Sequence, residues 1–309
     1  FFPNKSDIKK IENNNVIKSD INSIQSKILL REEVVASDSR IFISTKARLK
    51  GSISLKGARF DDVILKDYNT TLSEESELVT IFSPRETSSP YFAEFGWVAK
   101  DNNTDVPLPD TLWRIKNGKE LDANNPLTLE WVSPDGFIFT RIISIDENYM
   151  FTIEQKVKNN TKKIQSFIPY GRINRSGTPK TSGFYILHEG PIGVLNERLI
   201  EIDYDDLLDE KSTRNISNGG WLGITDKYWL AAIIPNQKST IEAGFKATAN
   251  NGVRYQAEYI SSALEVQPNQ EVSIKSNLFV GAKEVGLLDY YSEELSLNMF
   301  DRAVDFGWF

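Results

Sequence analysis

The only histidine among the 309 residues is His188. Any Ser-His-Asp arrangement would have to be built around it. A lone histidine on a strand is more often a hydrogen-bonded structural residue than a base. The chain has no cysteine, which removes thiol chemistry, disulfides and Cys-based zinc sites. Asp101, Asn103 and Asp105 imitate the start of a calcium loop, but Val106 stands where Gly is required and Leu112 where a bidentate Glu is required. The run Asp203, Asp205, Asp206, Asp209 has the character of a solvated face. With 43 Asp and Glu, two neighbouring carboxylates are expected by chance, so glycosidase chemistry has no specific support. Gly219-Gly220-Trp221-Leu222-Gly223 lacks the spacing and the following Lys of a phosphate loop. Its residues instead suggest close backbone approach at Gly220 and Gly223, with Trp221 and Trp229 filling the core. No catalytic residue, metal site or cofactor is therefore expected, and neither is an enzyme.

Composition points the same way. The chain is 40% hydrophobic and 11% aromatic, with mean hydropathy -0.36, ordinary values for a globular body. Net charge is -7, and no Lys/Arg run is interleaved with aromatics, so nucleic acid is not an expected partner. No window holds the roughly 20 consecutive apolar residues of a membrane helix.

The elements that would position these residues are mostly strands. From Val34 onward the pattern is β, with segments at 40–45, 59–68, 77–82, 127–131, 137–145, 164–173, 184–189 and 198–203. Tyr91–Ala99 is apolar on both faces, as in a central strand. Gly51 marks a bulge. Ser133-Pro134-Asp135-Gly136 and Asn250-Asn251-Gly252 are turn signals, and 219–225 with 227–234 reads as a hairpin about Asp226. Residues 272–280 alternate as a last long strand. About fifteen strands with few helices predict a large antiparallel sandwich. At Lys283 the period changes: Leu287, Leu288, Tyr291 and Leu295 share a helical face, with acidic residues opposite.

The chain ends on a second stripe. Phe300, Val304, Gly307 and Trp308 fall at i, i+4, i+7 and i+8, followed by Phe309 and preceded by Phe306. Aromatics edging an apolar stripe suit a membrane interface. The opening Phe1-Phe2-Pro3-Asn4 lacks a Met, and both ends read as cuts through something more apolar. A soluble domain between two membrane segments is therefore expected. Four parts follow: a weakly ordered tether (1–30), the sandwich (31–281), a packing helix (282–299) and the start of an interfacial helix (300–309).

Three segments carry a family resemblance. They are Gly57-Ala58-Arg59-Phe60-Asp61-Asp62 with Leu65-Lys66-Asp67-Tyr68, then Gly219-Gly220-Trp221-Leu222-Gly223-Ile224-Thr225-Asp226-Lys227-Tyr228-Trp229, and Lys283-Glu284-Val285 through Phe309. Together they resemble the large periplasmic domain of YidC-type bacterial membrane protein insertases. The resemblance implies an all-β galactose-mutarotase-like supersandwich with a C-terminal helix packed on it. It also implies a place at the periplasmic face of the inner membrane, joined to the bilayer through flanking helices. Nascent membrane proteins and Sec translocon components are the implied partners. The insertion groove is implied to lie in membrane helices outside this chain, which leaves a scaffold or interaction role here. On that reading Leu287, Leu288, Tyr291, Leu295, Phe300, Val304, Phe306, Trp308 and Phe309 couple the body to the membrane part. Gly220, Trp221, Gly223, Tyr228 and Trp229 form a structural motif. The alternatives are a peptide-binding module that uses a sheet edge, and a sugar-binding sandwich suggested by the fold relationship alone. Mutarotase-like chemistry normally uses a pair of histidines, and one histidine argues against the enzymatic form.

Overall fold

Strict alternation along the strands settles the architecture. Phe137–Ile145 buries every second residue, and Gln165–Ser176 does so over most of its length, so each presents one face to a core. The computed structural model describes residues 28–101, 103–181 and 187–304. In chain order the strands are β1 (Arg40–Phe42), β2 (Leu49–Ser54), β3 (Arg59–Asn69), β4 (Leu78–Phe82), β5 (Tyr91–Ala99), β6 (Arg114–Asn117) and β7 (Leu127–Val132). There follow β8 (Phe137–Ile145), β9 (Met150–Asn159), β10 (Gln165–Ser176), β11 (Gly190–Leu195), β12 (Arg198–Glu201) and β13 (Asn215–Asn218). The last six are β14 (Trp221–Thr225), β15 (Trp229–Ile234), β16 (Thr240–Thr248), β17 (Arg254–Ser261), β18 (Leu264–Val266) and β19 (Glu271–Ala282). Helices are α1 (Arg31–Ser37), α2 (Tyr204–Glu210) and α3 (Val285–Glu294).

The first sheet runs β1-β2-β3-β5-β10-β17-β16-β13, with β4 on β3 and β18 on β10; the second runs β12-β11-β14-β15-β19-β9-β8-β7-β6. They stack face to face over one apolar core. Phe60 meets Phe151 across the gap at 5.3 Å, Phe137 and Phe139 meet Phe167 at 5.1 and 5.4 Å, and the Tyr259 and Ser276 hydroxyls lie 2.8 Å apart. This is the all-β sandwich expected from the pattern.

The β3–β5 pairing is reduced to Phe60↔Ala93. Arg141, fully buried on β8, stands beside that sparse pairing. It donates to the carbonyls of Gly57 (3.2 Å), Ala58 (3.1 Å) and Phe95 (2.5 Å), and stacks over Trp113. Burial lowers its pKa to about 10. The guanidinium thus satisfies carbonyls that strand pairing does not.

The outer face of the first sheet is also covered. The side chains of Arg40, Arg59, Asp61, Asp62 and Glu94 are all buried there in an ionic network. Arg40 pairs with Asp61, Arg59 donates to Asp61 at 3.0 Å, and Arg31 from α1 pairs with Asp62. Desolvation raises the Asp61 pKa, opposed by Arg40 and Arg59. This is why β5 is buried on both faces.

Several expectations are corrected. Residues 31–37 are helical where β was expected from Val34, because Glu33 accepts the Leu30 N–H at 3.0 Å and Arg31 is tied to Asp62. The bulge lies between Ser52 and Ile53, opposite the extra residue Asp61, one position beyond Gly51. Residues 187–189 are not strand; β11 begins at Gly190, and 182–186 lie outside the described residues. The short strands β6, β13 and β18 carried too few residues to be recognised. The tether expected at 1–30 falls outside the described residues up to 27, and residues 28–30 are irregular.

Candidate functional site

The second sheet leaves an apolar outer face, formed by Trp221 and Gly223 of β14, Ala232 of β15 and Phe279 and Gly281 of β19. The C-terminal segment lies across it. The sequence does this simply: β19 ends at Ala282, a two-residue link follows, and the chain reverses into α3. Small residues also let the strands of this sheet approach closely. A Cβ at Gly223 would sit 2.0 Å from the Ala231 carbonyl oxygen.

Glu284 holds the N-terminal end of α3. Its backbone carbonyl accepts the N–H groups of Leu287 and Leu288, while its side chain turns to the body. Arg48 donates to both carboxylate oxygens, at 2.7 and 3.2 Å, and the hydroxyls of Tyr68 and Tyr149 donate at 2.8 and 3.2 Å. Arg48 also stacks over Tyr149, 4.4 Å from its centroid, and donates to Asp67 at 2.8 Å. Arg48 holds the Glu284 carboxyl below the usual carboxylate range, and burial opposes it. Burial and the bond to Glu284 raise the Tyr68 pKa.

Along α3, Leu288 and Tyr291 are buried, and Leu287 and Leu295 are partly buried against the core. Tyr291 donates to Asp146 in the β8–β9 turn, and burial raises its pKa. Beyond the helix, Leu297 is buried, and the Trp221 indole N–H donates to the Asn298 carbonyl at 3.0 Å. Phe300 is fully buried. It meets Trp221 edge-on at 5.1 Å and Phe279 at 5.6 Å; Tyr291 meets Phe279 at 5.9 Å. Edge-to-face geometry of this kind contributes about 1 kcal/mol per pair beyond area burial.

The second expected stripe is corrected here. Residues 301–303 form a single 3-10 turn, and Val304 is extended, so no helix carries Phe300 and Val304 on one face. Phe300 faces the sheet because Trp221 and Phe279 offer it a dry slot; Val304 is partly buried beside the core. Phe306, Trp308 and Phe309 lie outside the described residues. Within the glycine motif, Trp221 is buried, Tyr228 is exposed, and Trp229 is half-buried at the hairpin end against Tyr68 at 5.1 Å. Trp229 is thus at the margin of the core and not inside it.

Residue types alone did not bring Arg48, Tyr149, Asp146 and Phe279 into the site. Tyr68 and Glu284 do stand within the motif segments, which was a signal of their importance but not of their meeting. His188 is a structural residue: its Nε2 lies 3.0 Å from the Pro191 carbonyl oxygen and its Nδ1 lies 3.7 Å from Asp203. Asp101 accepts the backbone N–H groups of Asn103 and Thr104 at 3.1 and 2.9 Å, an ordinary loop closure. Among the described residues no cluster of His, Cys, Asp and Glu could hold a metal ion. No helix of the described residues is long and apolar enough to cross a membrane.

Comparison with known proteins adds a family. The model described as the YidC periplasmic domain matches residues 40–309. A relative from Rickettsia bellii, named Membrane protein insertase YidC, is 46% identical over 272 residues, covering 87% of this chain and 48% of the relative. One of the same name from Rhizobium johnstonii is 44% identical over 271 residues, covering 87% and 45%. The chain spans about half the length of the curated relatives it matches. Among solved structures, a galactose mutarotase related enzyme from Lactobacillus acidophilus superposes with TM-score 0.55 at 11% identity, covering 78% of this chain and 97% of that one. A galactose mutarotase-like protein from Lactobacillus casei gives 0.51 at 10% identity, covering 78% and 100%. At such identity the likeness shows the fold alone.

Proposed function

This chain belongs to the YidC periplasmic domain family, and we propose from that membership that it serves as an accessory scaffold at the periplasmic face of the bacterial inner membrane. In this reading the whole protein inserts and folds nascent membrane proteins, alone or with Sec translocon components. Its membrane helices carry the insertion groove, and this domain does no chemistry. Its work is to hold the segment that leads to the membrane part at a fixed place and angle.

The observation that supports this is the fastening of residues 284–304. An ion pair and two tyrosine hydroxyls hold one end, and Phe300 in its aromatic slot holds the other. A flexible linker needs neither. A segment fixed at both ends transmits position, because a packed interface does not deform continuously.

The test is Leu288→Asp in the full-length protein, with insertion of a substrate membrane protein and thermal stability both measured. A buried carboxylate at a fully dry position undocks α3, so insertion falls while the sandwich still melts cooperatively. Unchanged insertion together with unchanged stability would sink the coupling.

A further inference from the structure

We propose that the outer edge of β6, with the hollow behind it, docks an extended polypeptide segment in which apolar and acidic residues alternate. The inference is independent of the C-terminal fastening. Among the described residues β6 ends the second sheet and pairs with β7 alone, with no strand on its other side. All four of its residues are exposed. Lys116 is bulged out of register with β7, so the template it offers for one more strand is short, centred on Arg114 and Ile115.

The hollow supplies the second half of the recognition. About 510 Å3, open to solvent, is lined by Ile41, Ile115, Lys116, Asn117, Gly118 and Lys119. Ile41 is a dry wall at 5% exposure, and Ile115 is 39% exposed. No carboxylate lines it and Lys119 contributes a cation, in a protein of net charge -7, while the Lys116 ammonium is turned to Glu130 on the opposite face. On β6 itself, Arg114 and Lys116 both reach the one carboxylate of Glu130, Lys116 at 2.7 Å, which leaves that trio one positive charge in excess.

Strand geometry then dictates the occupant. Successive side chains of an added strand point to opposite faces. Those on the hollow side would meet Ile41 and Ile115, and those on the other side would meet Arg114 and Lys116. An alternation of apolar and acidic residues satisfies both. A second copy of this chain does not, because pairing β6 with β6 sets Arg114 and Lys116 against their own kind.

The experiment titrates the complete chain against two fluorescein-labelled peptides, one alternating valine with glutamate and one valine with lysine. Binding is read by anisotropy, and hydrogen exchange maps the protected amides. The glutamate peptide binds, the lysine peptide does not, and the amides of 114–117 exchange more slowly in the complex. Ile115→Asp weakens binding by about tenfold or more. Lys116→Glu with Lys119→Glu, both at exposed positions, reverses the peptide preference and stands as the test should Ile115→Asp fail to fold. The proposal is overturned by absence of binding at high micromolar protein, by equal binding of the two peptides, or by protection elsewhere with none at 114–117.

Discussion

Glu284 shows how one residue can do the work of a joint. It is the N-cap residue of α3, yet its carboxylate caps nothing; it is given to Arg48, Tyr68 and Tyr149. Its pKa is depressed in the folded state, so its contribution to stability is present above the unfolded value of about 4.3 and is lost as pH falls through the folded value. Glu284→Gln should therefore cost on the order of 1–2 kcal/mol at neutral pH, discounted for its partial exposure. The gap between variant and parent should close in acid. Urea unfolding of both proteins at neutral pH and at a series of pH values below about 4.3 checks this, since the parent's advantage shrinks as the Glu284 carboxylate takes up its proton. A gap that stays constant with pH would show that the charge of Glu284 is not what holds the helix.

At the scale of elements, α3 depends on a cleared sheet face. Gly281 lies under the Tyr149 ring, and a Cβ there would come within 2.3 Å of it. Gly281→Ala is expected to displace Tyr149 from Arg48 and Glu284 and to cost roughly 1–3 kcal/mol, as overpacking does. Gly286, inside α3, faces open space. Gly286→Ala is expected to stabilise by about 0.5–1 kcal/mol, since it limits the unfolded chain and favours helix. Chemical denaturation of the two variants should move in opposite directions, and hydrogen exchange should place the change in 285–294. Equal effects of the two substitutions would mean that the helix does not rest on that sheet face. The same scale explains the helix at 31–37. Val34 and Val35 favour a strand by type, but a seven-residue helix tied by Arg31 to a buried Asp62 outweighs a weak local preference.

For the whole molecule, the sandwich and its C-terminal strap can be separated genetically. A full-length protein lacking residues 31–280 but keeping 281–309 is expected to grow less well than the parent in a complementation assay, because the strap then has no sheet to lie on. Normal growth would place the needed function in the strap alone. The sequence by itself determined the all-β sandwich, the change to helix at Lys283 and the absence of a familiar catalytic motif. Those are local signals: side-chain period, turn residues and residue types are written within a few neighbouring positions. Only the tertiary structure decided that Arg48 meets Glu284 across more than two hundred residues, that Phe300 is a core residue packed on Trp221, and that β6 stands at the edge of its sheet beside a hollow free of carboxylates. Each of these depends on which sheet face is left bare and which strand is left at an edge. Strand order fixes both, and no local pattern records it.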